Sequence, residues 1–202
     1  MTLTSSIMPL LSTAAPDFNL PDITGKTVSL KDFEGSQALL VAFISRHCPY
    51  TQHILSAFIS MAREYQPKGL AVVAINSNDP SQHAEDSPVK MAQAARELNL
   101  PFPFLKDDGQ EVAKAYQAAC TPDFFLYDKN RLLVYRGRFD DSRPDNFTPT
   151  TGDQLRAAIE AVLAGEAPAK TQKPSVGCNI KWKRGNEPAY FLKQQKRHVE
   201  PA

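Results

Sequence analysis

The chain has 202 residues, 42% of them hydrophobic and 22% charged, a composition typical of a folded globular protein and not of a disordered one. Its 23 basic and 22 acidic side chains give a net charge of +1, which argues against a dedicated nucleic-acid-binding protein. No apolar run approaches the ~20 residues of a membrane span, and Met1–Ser12 lacks the basic start of a secretory signal. Three unequally spaced cysteines are not a secreted disulfide framework, so we expect a protein of the reducing cytoplasm.

The first third of the chain carries clear structural signals. Residues 1–13 are predicted to be a flexible start, and the turn residues within Ile23–Leu30 predict a β-hairpin. Ala38–Ile44 is a continuous apolar run, which predicts a strand buried on both faces. The apolar residues of Thr51–Tyr65 recur at helical spacing, and Pro49 suits the first helical position because its missing N–H would be unpaired there anyway.

The same alternation continues up to residue 165. Further strands are predicted at Leu70–Ile75, Phe102–Leu105, Asp123–Tyr127 and Leu132–Tyr135. Further helices are predicted at Pro88–Leu98, Glu111–Ala119 and Gly152–Leu163. Alternating strands and helices with a late hairpin predict one α/β domain over residues 14–165, with a mixed central sheet flanked by helices.

Residues 166–202 form a basic C-terminal extension. They hold eight basic residues, three acidic residues and four prolines, and their net charge is +5. This composition predicts a mostly irregular, solvated segment. The aromatic residues Trp182, Tyr190 and Phe191 leave a second interpretation open, in which the extension is anchored on its own domain or on a partner.

Cys48 lies where the first buried strand gives way to a helix. A thiol at a helix N-terminus faces unpaired backbone N–H groups and the positive end of the helix dipole, and both lower its pKa below the ordinary ~8.5. Arg46 and His47 add positive charge beside it. Thiolate is the form that attacks peroxides and disulfides, so this position suits a nucleophile. The alternative is a buried structural cysteine.

A second candidate site is the segment Cys120-Thr121-Pro122, directly before a predicted strand. Proline gives up a hydrogen-bond donor there, and it is tolerated at a strand start or in a special turn, such as one with a cis peptide bond. The position of this segment, which follows Cys48 after a β-α-β unit and a further helix, strengthens its assignment as a candidate site.

Four stretches of the chain carry a family resemblance: residues 15–22, Val41–Cys48, Cys120–Phe124 and Tyr135–Asp141. They resemble the thioredoxin superfamily and, within it, the AhpC/TSA or peroxiredoxin-like family. Lys173–Trp182 is similar to the ending of a poorly characterised peroxiredoxin-like subgroup. The resemblance implies a thioredoxin-like fold, a cis proline, and a thiol-dependent activity on hydroperoxides or protein disulfides.

The chain departs from the family motifs at two positions. Thioredoxins carry Cys-x-x-Cys, whereas this chain has Ser45-x-x-Cys48, so a dithiol cycle within the motif is impossible. Peroxiredoxins carry Pro-x-x-x-[Thr/Ser]-x-x-Cys, and here Val41 replaces the proline. The resemblance implies that Ser45 hydrogen-bonds the thiolate and that Arg138 or Arg136, which share one strand face, orients a peroxide.

A peroxidase cycle forms a sulfenic acid, which a second thiol must resolve. Cys120 is favoured, because the cis-proline loop of this fold packs against the active-site turn. Cys178 is an alternative, since C-terminal resolving cysteines occur in some peroxiredoxins. An external thiol, from thioredoxin or glutathione, is the third possibility.

Other chemistries have little support in the sequence. Cys48 and His53 are separated by about one and a half helical turns, a poor spacing for two ligands of one ion, so no metal is expected. Neither G-x-x-x-x-G-K-[S/T] nor G-x-G-x-x-G is present, so we expect no nucleotide or other cofactor.

The sequence therefore predicts a thiol oxidoreductase in which Cys48 is the nucleophile, Ser45 supports its thiolate, and the backbone before Pro122 guides the substrate. The main alternative is a redox-inactive binding module that docks a partner through the basic, aromatic extension. A third interpretation is a monothiol reductase or isomerase that acts on glutathionylated proteins. No nucleic-acid or membrane partner is expected.

Overall fold

The structure, a computed structural model, describes residues 3–197. Its strands are β1 Leu3–Ser5, β2 Asn19–Pro21, β3 Thr27–Ser29, β4 Ala38–Phe43, β5 Leu70–Asn76, β6 Phe104–Lys106, β7 Cys120–Thr121, β8 Asp123–Tyr127, β9 Leu133–Gly137 and β10 Val176–Asn179. Its α-helices are α1 Pro49–Tyr65, α2 Pro88–Glu97, α3 Glu111–Ala115, α4 Asp153–Leu163 and α5 Ala189–Arg197. Within residues 3–197, every helix is too short or too polar to cross a membrane.

The central sheet is mixed and has five strands in the order β6-β5-β4-β8-β9. β4, β5 and β6 run parallel, while β8 runs antiparallel to both of its neighbours. Every residue of β4 is buried, because alternate side chains enter two cores. Leu40 and Ala42 face the core formed with α1, α2 and α4, whereas Leu39 and Val41 face the core formed with α3 and the C-terminal extension. The predicted α/β fold with a mixed sheet between helices is confirmed.

The sheet brings two loops together at one edge. β4 leads directly into the turn that begins α1, and its last residue, Phe43, pairs with Asp123, the first residue of β8. The Thr121–Pro122 peptide bond immediately before β8 is cis. The N-terminus of α1 and the proline turn therefore lie side by side.

The N-terminal segment differs from the expected flexible start. Leu3–Ser5 forms β1 and pairs antiparallel with β10, so that Leu3 lies opposite Cys178 and Ser5 opposite Val176. Ser6 continues this attachment, because its side chain donates a 2.6 Å hydrogen bond to the buried Asp123. The contacts that order residues 3–6 are with residues more than a hundred positions away in the chain, so the local composition could not predict them.

The described part of the C-terminal extension is mostly irregular, as expected, but it is not solvated throughout. β10 lies between β1 and β7 in a three-stranded sheet. Ile180, Trp182 and Phe191 are buried in the second core, together with residues of α3 and β4. The aromatic residues thus anchor the extension on its own domain, which was one of the two interpretations left open. The domain bounds at residues 14 and 165 stay a prediction.

Two smaller differences concern element ends. The hairpin is formed by β2 and β3 and begins earlier than predicted, with Asn19 opposite Ser29. The helix predicted over Glu111–Ala119 ends at Ala115, because Gln117 has a φ of 53°, which lies outside the helical region.

Candidate active site

Cys48 is the N-cap residue of α1, with Pro49 at the first helical position. Its side chain is completely buried, and Sγ lies 3.0 Å from the carbonyl oxygen of Thr121, which accepts its S–H when the thiol is protonated. Burial acts against ionisation, but hydrogen bonds from the Cys178 side chain and from the backbone N–H groups of Thr51 and Cys178 lower the pKa of Cys48 to about 5. These donors therefore make Cys48 a stronger acid than an ordinary cysteine.

Cys178 is the second thiol of the site. It lies in β10 directly opposite Thr121, and it is 3% exposed. Its hydrogen bond to Cys48 and its burial both raise the pKa of Cys178, so that it stays protonated as the donor. No disulfide bond joins Cys48, Cys120 and Cys178, all of which lie within the described residues.

The close approach of β10 to the proline turn depends on Gly177. A Cβ atom at this position would overlap the Thr121 carbonyl oxygen and come within 2.9 Å of the Thr121 carbonyl carbon. Only glycine therefore fits this backbone contact without a shift. The contact places Cys178, the next residue, beside Cys48.

The thiol that hydrogen-bonds Cys48 is that of Cys178, whereas the sequence favoured Cys120 as the second thiol, and a role for Cys120 stays a prediction. Successive residues of a strand point to opposite faces, and Cys120 pairs with Asn179 while Thr121 pairs with Cys178. Cys120 Sγ lies 3.7 Å from the Pro122 carbonyl oxygen. Burial, and then the nearby Asp123, raise the pKa of Cys120, which makes it a poor nucleophile.

Ser45 does not support the Cys48 thiolate as the resemblance implied. Its hydroxyl lies 3.1 Å from both carboxylate oxygens of Asp86 and donates to this group. The backbone N–H of Arg46 and the Nδ1 atom of His47 also bind Asp86, at 3.0 and 2.5 Å. The hydrogen-bond partners of the Ser45 hydroxyl are thus Asp86 and His47 Nδ1, the latter at 2.8 Å.

Asp86 is the centre of a polar cluster beside the active-site turn. The side-chain amides of Asn76 and Asn78 each donate a 2.9 Å hydrogen bond to it. Burial raises the pKa of Asp86, but its donors, of which His47 is the strongest, outweigh burial and lower the pKa to about 2. Asp86 thus fixes the backbone that precedes Cys48.

Neither candidate arginine contacts the thiolate. Arg138 Nη1 forms a 2.6 Å ion pair with Asp141, and its Nε donates to the Pro174 carbonyl oxygen at 3.1 Å. Arg136 Nη1 donates to the side chain of Gln172 at 2.8 Å. Arg138 does lie near Pro122, since both line a small cleft, but its Nη1 is paired with Asp141 and its Nε with the C-terminal extension.

Two groups near the thiols were missed in the sequence. The Thr51 backbone N–H is a donor to Cys48, and a helix N-terminus predicts such donors in general. Lys181 is 7% exposed, and its Nζ donates to the Asn179 carbonyl and side-chain oxygens at 2.7 and 3.1 Å. Burial lowers the pKa of Lys181, and its electrostatic interactions with the thiol groups of Cys178 and Cys48 oppose this effect.

A sequence signal for extended backbone in β10 and the residues after it was present. Cys178, Ile180 and Trp182 alternate with polar residues, and each is less than 5% exposed. This is the period of a half-buried strand. Among the described residues, no cluster of three or more His, Cys, Asp and Glu side chains is arranged to hold a metal ion.

A strand that leads through a cysteine into a helix N-terminus, faced by a cis proline before an antiparallel strand of a mixed sheet, defines a thioredoxin-like fold. The chain belongs to the AhpC/TSA family, whose model matches residues 11–136.

Three similar proteins illustrate the range of the family. Thiol-disulfide oxidoreductase ResA of Bacillus thuringiensis is 27% identical over 120 residues, 59% of this chain and 65% of that protein. Chloroplastic peroxiredoxin Q of Populus jackii is 30% identical over 103 residues, 51% of this chain and 45% of the relative. The chain thus spans less than two thirds of the length of these curated relatives. The crystal structure of an uncharacterized conserved protein from Geobacillus kaustophilus is 48% identical, with a TM-score of 0.89 and coverage of 91% of this chain and 97% of that one.

Proposed function

We propose that this protein is a thiol-dependent oxidoreductase in which Cys48 is the nucleophile and Cys178 is the second thiol of the redox cycle. The observation that carries the proposal is the hydrogen bond between these two side chains at the N-terminus of α1. A thiolate in contact with a second thiol can be oxidised to a disulfide and reduced again. Membership of the AhpC/TSA family, and relatives named as a thiol-disulfide oxidoreductase and a peroxiredoxin, support this function.

The oxidising substrate is a hydroperoxide or a disulfide. With a hydroperoxide, the Cys48 thiolate attacks the terminal oxygen, an S–O bond forms, the O–O bond breaks, and the alkoxide takes up a proton. Cys178 then attacks the sulfenic sulfur, an S–S bond forms, and the hydroxide leaves with the Cys178 proton as water. With a disulfide, Cys48 forms a mixed disulfide and releases one thiolate, and Cys178 displaces the other.

An external thiol completes the cycle by returning two electrons to the Cys48–Cys178 disulfide. Thioredoxin or glutathione fits this role, and we place the protein in the cytoplasm, where such thiols are kept reduced. The thiolate is supported by the N–H groups of Thr51 and Cys178 and by the Cys178 thiol. The roles implied for Ser45 on the thiolate and Arg138 on a peroxide have no supporting contact.

The test is a peptide map under non-reducing conditions, made by mass spectrometry before and after a stoichiometric pulse of hydrogen peroxide or of glutathione disulfide. We expect a Cys48–Cys178 disulfide, with Cys120 still a thiol. The Cys178→Ala variant should stop at a sulfenic acid that dimedone traps after the peroxide pulse, and at a mixed disulfide with glutathione after the glutathione disulfide pulse. The matched Cys120→Ala variant should form the disulfide normally. If Cys48 remains a thiol after both pulses, the proposed function is wrong.

The alternative of a redox-inactive binding module has less support. It relied on an extension whose aromatic residues are available to a partner. Trp182 and Phe191 are 4% and 8% exposed, and they pack on the extension's own domain. The third interpretation, a monothiol mechanism, does not use the contact between Cys178 and Cys48.

A further inference from the structure

β10 occupies the backbone edge beside the nucleophile. It pairs with β7 through Cys178 opposite Thr121 and Asn179 opposite Cys120, and these pairs use the edge that faces Cys48. With β10 in place, Cys48 has no exposed surface. An extended polypeptide cannot pair with Thr121 while β10 does, because the groups of one strand edge bind one partner strand at a time.

The same strand also makes Cys48 reactive. Two of the donors to the sulfur, the thiol and the backbone N–H of Cys178, belong to β10. If β10 leaves the edge, Cys48 becomes accessible, but it loses both donors. Accessibility and thiolate character of Cys48 therefore change in opposite directions.

We propose that docked β10 determines the substrate class of Cys48: it creates the reactive sulfur and admits only oxidants of low molecular weight, to the exclusion of protein disulfides. This inference rests on the proposed function and narrows it. The accepted oxidants are hydrogen peroxide, small organic hydroperoxides and low-molecular-weight disulfides. They enter through local fluctuations that leave the pairing between β10 and β7 in place.

A substitution at Gly177 disturbs the pairing of β10 with β7 and replaces neither Cys48 nor Cys178. A Cβ at this position collides with the Thr121 carbonyl group, so Gly177→Ala must move β10 away from β7. Gly35→Ala is the matched control, because a Cβ at Gly35 meets no atom within 4 Å. Both variants add one methyl group to the full chain.

The first arm compares the two classes of oxidant on the wild-type protein. We expect Cys48 to be oxidised by hydrogen peroxide and glutathione disulfide, and to be inert toward the disulfides of insulin. We also expect N-ethylmaleimide, but not a long polyethylene-glycol maleimide, to label Cys48. Equal reactivity of wild-type Cys48 toward insulin and glutathione disulfide would overturn the inference and leave the proposed function intact.

The second arm compares the two variants. In Gly177→Ala, the rate at which the long maleimide labels Cys48 should rise about 30-fold. This factor corresponds to ~2 kcal/mol, the loss of about two hydrogen bonds between β10 and β7. The thiolate absorbance of Cys48 should move to higher pH in the same variant, whereas Gly35→Ala should match the wild type in both measurements. Unchanged labelling in a folded Gly177→Ala protein would refute the gating role of β10. If Gly177→Ala does not fold, the wild-type comparison alone decides.

The two proposals fail in different ways. If neither small oxidant changes wild-type Cys48, the thiol oxidoreductase function itself is wrong. If small oxidants react and proteins react equally well, only the selection by β10 is wrong.

Discussion

The contact between Cys178 and Cys48 predicts a specific change in acidity. Replacement of Cys178 by alanine removes the S–H donor, while the helix N-terminus and the Thr51 N–H remain. We therefore expect the Cys48 thiolate to be weaker in Cys178→Ala but not abolished. Cys178→Ser is the matched variant, because its hydroxyl restores a donor at nearly the same position.

The size of the change follows from the strength of one charge-assisted hydrogen bond. Such bonds contribute about 1.5–3 kcal/mol, and each pKa unit corresponds to about 1.36 kcal/mol. The pKa of Cys48, which is about 5 in the wild type, should thus rise by about one to two units in Cys178→Ala. It should rise much less in Cys178→Ser.

The measurement is a pH titration of thiolate absorbance in the ultraviolet. Hydrogen bonding and burial raise the pKa of Cys178, and burial raises that of Cys120, so the signal below pH ~8 comes from Cys48. Cys120→Ala should titrate like the wild type. If Cys178→Ala also titrates like the wild type, or if Cys178→Ser behaves like Cys178→Ala, the assigned hydrogen bond is wrong.

Two further predictions concern buried carboxylates. Asp86→Ala leaves several buried donors without an acceptor, so the free energy of unfolding at pH 7 should fall by about 3 kcal/mol. Chemical denaturation measures this loss, and a loss below about 1 kcal/mol would contradict the prediction. Because the pKa of Asp86 is lowered to about 2 from 3.8, this stabilisation is present above pH ~4 and lost as the pH falls toward 2. Asp123 has the opposite sign, because burial raises its pKa from 3.8 to about 7. The contribution of Asp123 to the free energy of unfolding is therefore greatest below pH ~4 and falls by up to about 4 kcal/mol as the pH rises to 7. Asp123→Asn should remove this slope from stability curves measured between pH 4 and 7, and an unchanged slope would refute the assignment.

The fold was predictable where the periodicity is strong and local. β4 is a continuous apolar run, and α1 combines a helical apolar spacing with Pro49 at its start, so both were found to within a few residues. β1 was not predictable, because three residues with a partner strand near the other end of the chain carry no local signal. Extended backbone in and after β10 was predictable from the alternation of Cys178, Ile180 and Trp182, but the positive charge and prolines of the extension favoured a solvated segment.

The candidate site was predictable only in part. Cys48 and Pro122 follow from their places before a helix and before a strand. The orientation of Ser45 was not accessible, since it depends on a buried acid, Asp86, that lies 41 residues further along the chain. The choice between Cys120 and Cys178 depends on which face of β7 meets α1, and this is set by strand pairing rather than by spacing.

The late position of β10 in the chain has a consequence for biosynthesis. Cys48 leaves the ribosome long before Cys178, and the central sheet can assemble while the donors on β10 are still missing. A nascent chain at this stage carries a Cys48 thiol that lacks both donors of β10, although the helix N-terminus and the Thr51 N–H can already act on it. The sulfur reaches its full acidity only when residues 176–182 have emerged and docked, so the reactivity of the site is completed at the last stage of synthesis.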